Sequence, residues 1–150
     1  MKTILILGLI LSQNLISQNS LSKEQAFNQV VELIANAEEF NYDTDINVLS
    51  SNFKKLSIEV KAHHKQTIMS SECYEYTYLL LDQLENAGEE YSDFEVELKF
   101  KTGMKNERKF VKNNFFNAPT IVEENDVIIE LKTPEDAKKL IFALNVLLKD

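Results

Sequence analysis

Two segments of this chain alternate strictly between apolar and polar side chains, and that alternation limits the possible folds more than any other feature. In the first, Leu56, Ile58, Val60 and Ala62 point one way while Lys55, Ser57, Glu59 and Lys61 point the other. In the second, Phe94, Val96, Leu98 and Phe100 oppose Glu95, Glu97, Lys99 and Lys101. Successive side chains of a strand face opposite sides of the sheet, so both segments read as half-buried strands with one wet face. Parallel sheets are covered on both faces and lack such wet sides, which leaves an antiparallel or mixed sheet.

Helices with legible starts flank these strands. Ser22 is placed to cap the following turn, with Gln25 as its capping-box partner and Leu21 and Ala26 as a weak hydrophobic staple. Phe27, Val30, Val31, Ile34 and Ala37 recur at helical spacing, which predicts an amphipathic helix over 22–39. The polar stretch Asn41 to Asn47 is expected to end it and cross to the next element. Near the carboxy terminus, Thr133 is an N-cap candidate, Pro134 fits the first helical position, and Glu135 and Asp136 place negative charge in the first turn. Ala137, Leu140, Ile141, Leu144, Leu147 and Leu148 form a broad stripe that Phe142 and Val146 widen. The expected fold is α+β: an antiparallel or mixed sheet covered mainly on one face by amino- and carboxy-terminal helices.

The middle of the chain reads less simply. Tyr74, Tyr76 and Tyr78 alternate as in a strand, yet Cys73, Thr77, Leu80, Leu84 and Ala87 follow a helix face. The run Leu80–Leu81 breaks the alternation and Gly88 offers a stop, which predicts a helix over 71–86, with a strand as the alternative. Residues 102–107, which include Gly103, read as a turn, with 108–112 returning as a short strand around Phe110. Residues 113–119 read as a loop carrying two core anchors, Phe115 and Phe116. Ile121 and Val122 read as a brief extended piece, 123–126 as a turn, and Val127, Ile129 and Leu131 as the core face of a strand.

The first residues set an expectation about location. Met1 and Lys2 precede an apolar run from Ile4 to Leu11, and about eight residues suit a signal peptide but fall far short of the roughly 20 that cross a bilayer as a helix. Residues 1–19 are therefore expected to be a leader, cleaved after Ser17 or Asn19, and 20–150 a single compact α+β domain. An apolar amino-terminal strand or helix is the alternative. No cysteine lies near the boundary to carry a lipid, so release into a bacterial periplasm or the medium is expected, without stable membrane insertion once the leader is gone.

Charge narrows the partners. The chain has 16 Lys and Arg against 24 Asp and Glu, a net −8, which repels a nucleic-acid backbone. Lys105, Arg108, Lys109 and Lys112 form the one local positive cluster, and Glu107 interrupts it. Cys73 is the only cysteine, so no internal disulfide can form, and it reads as a small core hydrophobe.

The residue types that carry chemistry do not assemble into a catalytic pattern. His63, His64 and Cys73 supply metal-capable atoms, but adjacent residues of a strand face opposite ways and no second cysteine completes a site. Cys73 with a histidine as base lacks an orienting acceptor. Asp43, Asp45 and Glu59 could meet, although 24 acidic residues make chance groupings inevitable. Neither that set nor Glu123, Glu124 and Asp126 follows a calcium loop, and isolated Gly88 and Gly103 build no phosphate cradle. No metal or cofactor is expected.

Tyrosine gives the best functional hint. It joins apolar area to a hydroxyl, which suits a protein or glycan contact face. Tyr74, Tyr76 and Tyr78, with Phe115, are the candidate binding surface; the competing reading places their rings at the border of the core. The expected function is an exported noncatalytic binding domain for an envelope or extracellular protein or a glycan. The alternative is a small secreted or periplasmic hydrolase using dispersed carboxylates or His63.

Overall fold

The structure, a computed structural model, describes residues 21–66, 71–89, 92–112 and 120–149. The expected leader over residues 1–19, Tyr91, Phe115 and Phe116 lie outside the described residues. Helix α1 (Lys23–Ala35) is followed by β1 (Glu39–Phe40), β2 (Ile46–Asn52), β3 (Ser57–Gln66), β4 (Ser71–Leu80), β5 (Leu84–Glu89), β6 (Glu95–Lys112), β7 (Thr120–Glu130) and helix α2 (Pro134–Leu148). All the strand pairs are antiparallel, in the order β1-β7-β6-β4-β3-β2, with β5 also joined to β6.

Both helices start where their caps specify. Ser22 Oγ accepts from the Gln25 amide at 3.1 Å, and Gln25 Oε1 accepts from the Ser22 amide at 2.9 Å, closing the capping box. Thr133 Oγ1 accepts from the Asp136 amide at 3.1 Å, and Pro134 opens α2. Each cap meets donors that the first turn leaves without intrahelical partners. α1 buries Ala26, Phe27, Val30 and Ile34; α2 buries Ala137, Leu140, Ala143, Leu144 and Leu147. These side chains share one core with Ile58, Val60, Leu79, Val96, Leu98, Val127 and Ile129, so the helices cover one face of the sheet. The α+β arrangement predicted from the alternation is thus the one observed.

The long strand β6 organises the sheet. Its first half pairs with β5, Leu84 opposite Phe100 and Glu89 opposite Val96, and its second half pairs with β4, Thr77 opposite Asn106. Along its other edge runs β7, from Glu95 opposite Glu130 to Arg108 opposite Thr120. β4 and β5 therefore follow one another along the same edge of β6, parted by a 3-10 turn over Leu81–Gln83. That turn is anchored by buried Leu81, whose amide donates to the Leu56 carbonyl at 2.8 Å.

Several local expectations are corrected. Residues 71–86 are not a helix: β4 lies between β3 and β6, and ladder bonds on both edges outweigh the helix-like spacing of its leucines. Gly88 lies within β5 rather than stopping a helix. Residues 102–107 do not turn the chain, because β6 runs through them, paired with β7 from Met104 onward and with β4 from Asn106 onward. Likewise 123–126 belongs to continuous β7, and the predicted turn is absorbed as a register shift opposite Lys99 to Met104. Leu56 precedes β3 with φ +45°, after a 3-10 turn over Phe53–Lys55. α1 stops at Ala35 instead of 39 because Glu39 and Phe40 pair with Glu130 and Ile129.

Residues 41–45 cross the sheet. At one end the Asn41 amide donates to the Ile128 carbonyl at 2.7 Å; at the other the His63 amide donates to the Asp45 carbonyl at 3.1 Å. β7 and β3 are three strand spacings apart, roughly 14 Å, and the segment leaves β7 through a tight turn in which Phe40 and Asp43 exchange backbone hydrogen bonds. Midway, Asn41 Nδ2 donates to Oε1 of buried Glu75 at 3.4 Å.

Candidate functional site

The β3–β4 ladder decides where the tyrosines go. Ile58 faces Leu79, Val60 faces Thr77 and Ala62 faces Glu75, and all six side chains are buried on the helix-covered side. The intervening residues therefore point outward: Glu59 opposite Tyr78, Lys61 opposite Tyr76 and His63 opposite Tyr74. Tyr74, Tyr76 and Tyr78 form a row on the outer face, successive residues roughly 6.8 Å apart along the strand. Leu80 extends the row.

The two ends of this row differ. At one end Tyr74 is framed: the Lys61 ammonium stands 3.9 Å above its ring centroid, and the His63 ring centroid lies 5.1 Å away at 32°. A cation over a tyrosine face contributes about 0.5–1 kcal/mol at such a site, which holds the ring in place. At the other end Tyr78 and Leu80 stand 48% and 44% exposed. Beside them, Ser50 Oγ donates to Glu59 Oε2 at 3.1 Å, tying the edge strand β2 to the same face. The outcome is an amphipathic surface, one end fixed by cation and imidazole and the other apolar and open.

The remaining candidates are dispersed. Asp45 Oδ2 lies 3.9 Å from His63 Nδ1, beyond hydrogen-bond reach, so it does not orient the imidazole as a base. Glu59 sits four residues along β3 from His63, roughly 13 Å away, and Asp43 is buried in the crossing segment. The three carboxylates named from the sequence are not brought together. Cys73 is buried at 2% exposure and is the ladder partner of His64. Among the described residues, no group of three His, Cys, Asp or Glu side chains is placed to hold a metal ion. Nor is any described helix long and apolar enough to cross a membrane.

Sequence reasoning missed Glu75. It shares the buried face of β4 with Cys73, Thr77 and Leu79 and lies opposite Arg108 in the β4–β6 ladder. Alternation places it there once residues 71–80 are read as a strand, and the helix reading hid it. No family model, curated protein or solved structure matches this chain.

Proposed function

We propose that this protein is an exported, noncatalytic binding domain, released into a bacterial periplasm or the medium, that engages an envelope or extracellular protein or a glycan through the outer face of β4. The observation that carries this reading is the alignment of Tyr74, Tyr76 and Tyr78 on one wet face, ending in open Tyr78 and Leu80. Tyrosine offers large contact area at a cost of only two side-chain torsions, and a row of three supplies a connected patch. Lys61 and His63 add polar groups at its border, the composition expected of a contact rim. The apolar run before Ser12 supports export.

Crosslinking with mass spectrometry on the exported fraction tests the reading, with wild type compared to Tyr78→Lys. A single reproducible partner or glycan adduct in wild type, lost in a variant that melts at the same temperature, is the expected result. Absence of any adduct, together with a turnover abolished by His63→Ala, would replace binding with hydrolysis. Intact mass separately tests export, since an external form still beginning at Met1 contradicts it.

A further inference from the structure

β2 closes one end of the sheet, and among the described residues it pairs with β3 alone. Every second residue of an outermost strand turns its amide and carbonyl away from the neighbour, so the free edge is a row of backbone donors and acceptors that another strand completes. Sheet edges are ordinarily blunted by shortness, proline or charge. At the opposite end of the sheet β1 is two residues long. β2 uses none of these devices: it is seven residues long, has no proline, and contains none of the chain's 24 Asp and Glu or 16 Lys and Arg. Asn47 and the run from Leu49 to Asn52 are exposed.

Charge stands just beyond the two ends of β2. Exposed Asp45 precedes it, and exposed Lys54 and Lys55 follow in the 3-10 turn over Phe53–Lys55. A second copy of the strand laid antiparallel along this edge brings its basic end beside Asp45 and its own Asp45 beside the basic end of the first. The edge is therefore complementary to itself about a two-fold axis. A parallel copy would set like charges together.

The bulge between Val48 and Ser50 selects the register. Asn47 opposite Lys61, Ser50 opposite Glu59 and Asn52 opposite Ser57 lie on the outer face, whereas Val48 opposite Val60 and Ser51 opposite Ile58 lie on the inner one. Residues that oppose each other across a ladder share a face. Because Leu49 is the extra residue of the bulge, a two-fold axis between Leu49 and Ser50 sets Asn47 opposite Asn52 and Val48 opposite Ser51 with faces matched. The same register brings Asp45 level with Lys54.

We infer that two copies of this chain pair through β2, antiparallel about a two-fold axis, into one continuous sheet. The two tyrosine rows then lie on the same outer surface, five strand spacings or roughly 24 Å apart. The pairing stands independently of what that surface binds.

Sedimentation equilibrium on the purified protein from about 1 to 500 µM is expected to show a monomer–dimer equilibrium with a Kd of micromolar order. Leu49→Lys sets two lysines beside the axis and should raise that Kd about tenfold or more at an unchanged melting temperature. Disulfide capture reads the register: Asn47→Cys and Asn52→Cys chains, mixed and oxidised, should join to each other faster than either joins to itself, Cys73 being buried. A monomer throughout the range overturns the inference, including a monomer whose edge captures a strand of another protein instead. So does association that Leu49→Lys leaves unchanged, or a dimer in which the mixed disulfide forms no faster than the others.

Discussion

Glu95 and Glu130 lie directly opposite each other on β6 and β7, two carboxylates in cross-strand register. On the far side of Glu130 the ladder places Glu39. Like charges facing each other across a ladder destabilise it, by about 0.2–1 kcal/mol per pair. Desolvation pushes the Glu130 carboxyl above its ordinary range, and the charges of Glu39, Glu95 and Glu38 push it further. Protonation of Glu130 is thus easier in the folded chain than in the unfolded one. Its contribution to stability is complete below the unfolded carboxyl value and is lost as pH rises through the folded one. Thermal melts at low salt should show Glu130→Gln more stable than wild type at pH 7, with the difference shrinking as pH falls toward 4. A difference that is constant with pH would show that repulsion is not its source.

A second cost sits in the crossing segment. Asn41 and Tyr42 have φ of +50° and +70°, and Phe40 and Asp43 exchange backbone hydrogen bonds of 2.9 and 3.1 Å around them. This is the geometry of a type I′ turn, whose second central position favours glycine. A side chain there presses against its own backbone at about 1–2 kcal/mol. Tyr42→Gly and Tyr42→Ala both remove the ring, so their difference isolates the backbone. Urea unfolding should find the glycine variant more stable by about 1 kcal/mol, its greater unfolded-state entropy offsetting part of the relief.

How much of this was legible in the sequence follows from what each element depends on. The faces of β3 and the first half of β6 were readable because burial of Ile58, Val60, Val96 and Leu98 follows directly from alternation. The helix starts were readable because Ser22–Gln25 and Thr133–Asp136 bonds close within three residues. β4 was not, because its conformation is set by β3 and β6, whose pairing partners lie up to about 40 residues away. The same holds for Gly103, which reads locally as a turn but lies within β6, in the stretch where the register with β7 shifts between Lys99 and Met104. The alignment of Tyr74, Tyr76 and Tyr78 on one face follows from the strand, which was the alternative reading.

The cap of α2 is also an electrostatic device. Besides accepting from the Asp136 amide, Thr133 Oγ1 donates to Asp136 Oδ2 at 2.8 Å. That hydrogen bond, followed by the one from Lys139, holds the Asp136 carboxyl below its ordinary range. Such a group adds stability above the unfolded carboxyl value and loses it as pH falls through the folded one, opposite in sign to Glu130. Thr133→Ala should destabilise the protein by about 1 kcal/mol at neutral pH through loss of the cap. It should also move the Asp136 titration, followed by carboxyl-detected NMR, back toward the ordinary value. An unmoved titration would assign the shift to Lys139 instead.

The stripe read along α2 from its sequence was too wide, and two residues separate its parts. Leu140 is fully buried among α1 and sheet side chains, whereas Phe142 is 49% exposed on the opposite side of the helix. Two residues correspond to about 200° of helical rotation, so both cannot face the sheet. Leu140→Ala leaves a cavity that close-packed neighbours fill only in part, and should cost about 2–5 kcal/mol. Phe142→Ala removes a larger side chain but opens no enclosed void, and should cost about 1 kcal/mol or less. Denaturant unfolding of the two variants checks the ordering, and a Phe142→Ala loss matching that of Leu140→Ala would mean that this ring is covered in solution by something the isolated chain does not supply.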